Sequence, residues 1–155
     1  RRNKSETVLR ALGKSGGMLG FSVYPHHLKG GSACSLDDFC EMIARTADLI
    51  GIERVGIGTD LCQDQPDSIV EWMRVGRWTK LKDYGEGSAS APGFPAMPEW
   101  FADNRDFGRI AKGLRATGMS RADVSAVMGG NWLRFFETSF GAKSGEKPKL
   151  NRAAE

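Results

Sequence analysis

The segment Arg54-Val-Gly-Ile-Gly-Thr-Asp60 constrains this chain most tightly. A short apolar run ends there in a glycine-containing turn that carries one carboxylate. Upstream, Leu36, Phe39, Cys40, Ile43, Ala47 and Ile50 recur at helical spacing and mark one apolar face of a helix from Ser35 to Ile50. Gly51 is the glycine expected just past its end. Earlier still, Met18-Leu-Gly-Phe-Ser-Val23 reads as a second short buried strand, ended by Pro25. Strand, helix and strand in this order imply two parallel strands joined by a crossover helix. The C-terminal ends of parallel strands share one rim, so Asp60 and the loop Tyr24 to Leu28 belong on the same side. Two strands alone cannot close a barrel or complete a doubly wound sheet.

The remaining elements follow from caps and breakers. Ser5 caps a first helix through about Lys14, stopped by Ser15-Gly16-Gly17. Ser35-Leu-Asp-Asp38 and Ser120-Arg-Ala-Asp123 are capping boxes of the Ser-x-x-Asp type, the second opening a short helix through Met128. A helix is expected over Ser68 to Arg77. Another runs from Asn104 to Ala116, with Phe107, Ile110, Ala111 and Leu114 on one side and Gly118 closing it. Gly129-Gly130 then breaks the chain, and Asn131 is expected to cap a final helix. That helix is rich in aromatics, with Trp132, Phe135 and Phe136 expected in the core. Lys80 to Pro98 holds Gly, Ser and Pro without periodicity, and a loop of that length is often functional. Residues 1–142 read as one domain and 143–155 as a charged, peripheral tail.

Composition narrows the function classes. The 155 residues carry a net charge of only +3, from 22 basic and 19 acidic side chains. The charges are scattered rather than gathered into a basic stripe, which argues against nucleic acid as a partner. No run of about 18 apolar residues is long enough for a membrane span. Cys34, Cys40 and Cys62 are odd in number and have no Cys-x-x-Cys spacing, so they read as ordinary thiols of a reducing compartment. With no leader visible, the cytoplasm is the expected location.

Four segments then occur in a telling order: Arg1-Arg2-Asn3, the strand ending at Ser22-Val23-Tyr24, the Gly56-Ile-Gly-Thr-Asp60 strand end, and Gly129-Gly-Asn-Trp-Leu-Arg134. Together they resemble the C-terminal half of the membrane (renal) dipeptidase family of zinc peptidases, over roughly residues 1–141. The resemblance implies an α/β fold: the C-terminal part of a (β/α)8 TIM barrel, contributing the last two barrel strands with outer and C-terminal helices. It implies hydrolysis of dipeptides or related small amides, with two zinc ions as cofactors. In the family those ions are held by a His-x-Asp pair, a bridging Glu and two further His, all preceding the Arg-Arg-Asn segment. This chain has only His26 and His27, and adjacent histidines cannot both face one metal on a regular element. No metal ligand is therefore assigned here. The expected partner is the N-terminal half of the same enzyme, in a longer or two-piece protein, and a homodimer is a further expectation.

The resemblance also gives residue roles. Arg2 aligns with the arginine that grips the substrate carboxylate, a task suited to a planar, always charged guanidinium. Asp60 aligns with the catalytic acid at the end of the last strand. There it manages the proton of a metal-activated water whose pKa lies near about 7. Tyr24 and His27, with His26 beside them, are candidates to line the substrate pocket. One departure bears on the substrate. Many relatives follow the acid with Phe-Asp-Gly, whereas Leu61-Cys62-Gln63-Asp64 follows Asp60 here. Trp72, Trp78 and Trp100 suggest an enlarged loop over the mouth, suited to a ligand other than a simple dipeptide. Two other readings stay open: a non-catalytic α/β small-molecule binding domain, and a stand-alone interaction module. The first lacks a Gly-x-Gly-x-x-Gly after either strand. The second would leave sheet edges and apolar faces unpaired.

Overall fold

A computed structural model of the chain describes residues 3–61, 66–76 and 95–141. Arg2, Cys62, Trp78, most of the Lys80 to Pro98 loop and the tail lie outside the described residues. The elements are α1 (Glu6–Ser15), β1 (Leu19–Phe21), α2 (Leu36–Ile50), β2 (Val55–Ile57), α3 (Asp67–Val75), α4 (Phe107–Ala116), α5 (Arg121–Ser125) and α6 (Asn131–Phe140). The fold is mixed α/β, rich in helix, with a two-stranded sheet.

β1 and β2 are parallel, with Leu19 opposite Val55, Gly20 opposite Gly56 and Phe21 opposite Ile57. Both strands are shorter than their apolar runs. Arg54 belongs to a 3-10 turn, Ile52–Arg54, that leads into β2. Pairing nevertheless continues past Phe21: Gly58 N–H donates to Phe21 O at 3.0 Å and Val23 N–H to Thr59 O at 3.1 Å. The two strand ends are thus tied to each other at the rim that carries Asp60.

One face of the pair packs on α2. Phe21, Val23, Val55, Phe39, Ile43 and Ile50 are all buried there. Phe39 meets Phe21 edge-on at 6.5 Å and lies 4.9 Å from the Trp100 ring. Each such side chain stabilises by about 1.5–3 kcal/mol on burial. Trp100 belongs to this core: it is 8% exposed and its indole N–H donates to Cys34 O at 2.7 Å. That corrects its expected place in a loop over the mouth. Trp72, by contrast, is 59% exposed on α3.

The serine caps form as expected. Ser5, Ser35 and Ser120 accept from Val8, Asp38 and Asp123 N–H respectively. In the two Ser-x-x-Asp boxes the aspartate takes the serine hydroxyl, at 2.7 Å in each, rather than a backbone N–H. Gly51 ends α2 at φ 98°, a backbone that favours glycine. The expected helix over 104–116 divides into a 3-10 turn, Asn104–Asp106, and α4. A full capping box on Asp103 and Asp106 holds that turn. The helix after Ser120 is also shorter than its pattern, since a wider turn over Ala126–Gly130 replaces its last residues.

The other face of the strand pair is made of small residues. Gly20 and Gly56 share a register position, and α6 uses the space they leave. A Cβ on Gly56 would sit 2.5 Å from the Trp132 indole nitrogen, and one on Gly20 would sit 3.2 Å from the same ring. Trp132 Nε1 donates to Ile57 O at 3.0 Å. Asn131 is 1% exposed and donates from Nδ2 to both Ile52 O and Val55 O at 2.8 Å. It makes no capping hydrogen bond; it fastens α6 to the entrance of β2. The sequence reading of a cap is corrected accordingly, because those carbonyls are remote in sequence. Phe136 is 50% exposed, so it is not core as expected, and Phe140 beyond it is more exposed still.

Replacement of Asn131 by Ala leaves two carbonyls without their donor. A loss of about 2–3 kcal/mol is expected in urea denaturation of the intact protein. Gly113 lets α4 approach α2, since a Cβ there would lie 2.6 Å from Cys40 Sγ and 3.1 Å from Leu36 Cγ. Gly113→Ala should therefore destabilise by about 1 kcal/mol or more, overpacking outweighing the better helix propensity. A stabilised variant would show that the two helices are free to separate.

Candidate functional site

The rim at the C-terminal ends of β1 and β2 brings together most of the described candidates. Asp60 lies three residues beyond β2 and is exposed. Its backbone is left-handed, φ 55°, the one non-glycine case among the described residues. Aspartate is among the few side chains that visit this region, at a cost of about 1 kcal/mol. Thr59 just before it accepts Val23 N–H through its carbonyl and Leu61 N–H through its hydroxyl, at 3.1 and 3.4 Å. The turn carrying the carboxylate is therefore fixed on both sides.

The loop after β1 is equally well specified. Pro25 opens a 3-10 turn, Pro25–His27, whose last N–H groups bond back to Tyr24 O and Pro25 O. Tyr24 packs against both histidines, tilted to His26 and edge-on to His27, its ring centroid 5.3 Å from each. Ser22, just past β1, accepts Tyr24 N–H on its hydroxyl at 3.0 Å, and the same oxygen lies 3.0 Å from His27 Nδ1. Asn3 donates from its side chain to His27 O at 3.2 Å. The residue that follows Arg2 is thus held against this loop.

A cleft of about 430 Å³ adjoins the loop, lined by Leu19, Gly20, Phe21, Ser22 and His27 together with Lys4, Met42 and others. It touches successive residues of β1 and none of β2, so it runs along the edge of β1 away from its partner strand. His27 lines it; Tyr24 and Asp60 do not. Structure therefore joins Tyr24 to His27 and sets Asp60 on the neighbouring strand end, while Arg2 lies outside the described residues. Ser22 and Asn3 were missed in the sequence. The signal for Ser22 was its place two residues before Tyr24, at the end of a strand followed by Pro25, where a serine hydroxyl readily takes a nearby N–H.

Cys34 and Cys40 are buried free thiols. Burial, and secondarily Asp37, pushes the Cys40 thiol up to about 12; burial, and then Asp38, also raises Cys34. Both are protonated near neutrality and neither is a thiolate nucleophile. Among the described residues no three His, Cys, Asp or Glu side chains converge to hold a metal ion. No helix among them is long and apolar enough to cross a membrane.

The sequence profile of the membrane dipeptidase family, peptidase family M19, matches residues 1–81, the part that carries both strands, their loops and Asp60. The chain belongs to that family. No curated protein sequence matches it. This M19 chain is also similar to the crystal structure of an amidohydrolase from Pseudomonas aeruginosa, at 27% identity and a TM-score of 0.78. The match covers 91% of this chain and 42% of the amidohydrolase. The M19 chain thus spans less than half the length of that structure.

The buried Cys40 thiol gives a signed pH dependence. Its folded pKa lies above the unfolded value near 9.0, so its contribution is complete below pH 9.0 and is lost as pH rises toward about 12. Across that window it should lower stability by up to about 1.4 kcal/mol per pH unit. Urea denaturation at pH 8 to 11 should show a shallower fall for Cys40→Ala than for the parent; equal slopes would contradict the assignment.

Proposed function

We propose that this chain is the substrate-anchoring and proton-transfer part of a metal-dependent dipeptidase, a hydrolase built on a TIM barrel. The observation that carries the reading is Asp60: an exposed carboxylate, held in a left-handed turn at the C-terminal end of a parallel strand, within the segment that matches the family. Acids at that position in (β/α) barrels lie on the catalytic face. β1 and β2 would be the last two strands of the barrel. The open edge of β1, with its adjoining cleft, is where a preceding parallel strand would pair. The proposed partner is accordingly the N-terminal half of the same enzyme. The 42% share of the amidohydrolase covered by the match supports it.

The chemistry assigned to this chain is proton management and substrate binding. Asp60 takes a proton from the water that attacks the scissile carbonyl carbon. It returns that proton to the amide nitrogen as the C–N bond breaks, releasing two amino acids. Arg2 holds the substrate's terminal carboxylate through a bidentate contact. Tyr24 and His27 flank the bound dipeptide. No three of the described side chains fit a zinc ion; on this reading the two zinc ions that the family implies would be held by residues outside this chain.

Asp60→Asn keeps a side chain that tolerates the left-handed backbone and removes the proton acceptor. In the intact enzyme kcat/KM for dipeptides is expected to fall about 10²–10⁴-fold with an unchanged melting temperature. Retention of more than about a third of the activity would remove Asp60 from the chemistry. Arg2→Lys should act differently, raising KM about tenfold or more by replacing a planar fork with a point charge. A lower kcat at unchanged KM would contradict the anchoring role.

A further inference from the structure

Leu133, Phe136 and Phe140 form an apolar stripe on α6 and are 66%, 50% and 77% exposed. The stripe continues from the seat of Trp132 on the strands. Phe136 stacks on Trp132 with ring centroids 5.8 Å apart, and Phe140 follows 6.1 Å from Phe136. α2 joins β1 to β2 and covers one face of the pair. In a (β/α) barrel such crossover helices form the outer layer, so the glycine face is the inner one. Barrel interiors are filled by strand side chains. Gly20, Gly56 and Gly58 share the inner face by alternation and contribute none. Trp132 fills the space of the first two: a Cβ on Gly20 or Gly56 would meet its ring. A Cβ on Gly58 would meet only Gly20 backbone, so α6 does not run up β2 toward Asp60. Asn131 and Arg134 donate to the carbonyls of Ile52, Glu53 and Val55, all at the entrance of β2. The helix starts there and crosses the N-terminal end of the strand pair.

We propose that α6 is the floor of the barrel. It closes the mouth at the N-terminal ends of the strands, and its Leu133, Phe136 and Phe140 stripe docks on the N-terminal half of the same enzyme, against apolar side chains where the opposite strands begin. The dimensions agree. α6 has 10 residues and is about 15 Å long. Eight strands about 4.8 Å apart and tilted by about 36° enclose a ring about 15 Å across. A helix anchored on β1 and β2 by Trp132 and Asn131 therefore reaches the far wall. Exposure follows that path, since Phe140, two turns from the anchor, is more exposed than Phe136. The amidohydrolase match covers 42% of that chain, so the opposite wall belongs to the part not spanned here. A second copy docked on the stripe would occupy the space that the opposite strands need. The inference rests on the barrel part of the proposed function and not on its chemistry, because the floor lies at the end away from Asp60.

The test uses the intact enzyme with photo-reactive benzoylphenylalanine in place of Phe140. Irradiation should join α6 to peptides of the N-terminal half within a single enzyme molecule, as mapped by mass spectrometry. A covalent dimer, a cross-link confined to residues 1–155, or no cross-link to protein overturns the inference. Phe136→Ser and Phe140→Ser give a second readout. Each should lower the melting temperature by about 5 °C or more, with kcat/KM for glycylglycine unchanged within about twofold. A stripe that faces solvent would leave both melting temperatures within about 1 °C of the parent, and that result also overturns the inference. If a serine variant does not fold, the cross-link still decides, because its aromatic replacement keeps the apolar ring. An enzyme that cross-links as expected and hydrolyses no dipeptide would refute the dipeptidase chemistry and leave the floor in place.

Discussion

The parallel register that sets Gly20 opposite Gly56 is the constraint on which the remaining structure depends. It divides the strand pair into two unlike faces. On one, Phe21, Val23 and Val55 meet the apolar stripe of α2 and form the core. On the other, the missing side chains open a slot that the Trp132 indole fills, with Asn131 bonded to the entrance of β2 just beside it. A slip of one residue would turn the large side chains away from α2 and drive them into Trp132. The register thus fixes the core and the seat of α6 together. It also brings Val23 and Thr59 into contact at the rim, and with them the two loops that carry the candidate site.

The site inherits its order from that rim. Asp60 sits with a left-handed backbone in a turn that Thr59 pins, and the His27 ring is hydrogen-bonded to Ser22, the residue just past β1. Neither group depends on a long or mobile connection. This is the arrangement expected of groups that must meet a ligand with little reorganisation. The buried thiols contribute differently: Cys40 sits in the α2–α4 contact, is kept neutral by burial, and has a packing role.

Local signals are legible in the sequence for a physical reason. Helix caps, the glycine stops and the apolar stripe of α2 depend on residues three or four positions apart. Ser5, Ser35, Ser120 and Gly51 accordingly act as their spacing implies. The Gly-x-Gly-x-Asp strand end was legible because a strand that ends on a rim needs a tight, polar turn. What failed depends on distant partners. Asn131 looks like a cap until Ile52 and Val55 are brought to it, and Trp100 looks like a loop residue until the Cys34 carbonyl and Phe39 are placed beneath it. The exposed flank of Phe136 and Phe140 was unreadable for the same reason: aromatic spacing marks an apolar face but not what covers it. Ser22 was overlooked because a serine at a strand end has no period to betray it.

The most direct test is a crystal structure of the intact protein with a non-hydrolysable dipeptide analogue. The account predicts an Asp60 carboxylate oxygen about 2.6–3.2 Å from the analogue's tetrahedral oxygen or leaving nitrogen, at the rim shared with Tyr24 and His27. An analogue bound elsewhere, with the Asp60 carboxylate turned to solvent, would contradict it.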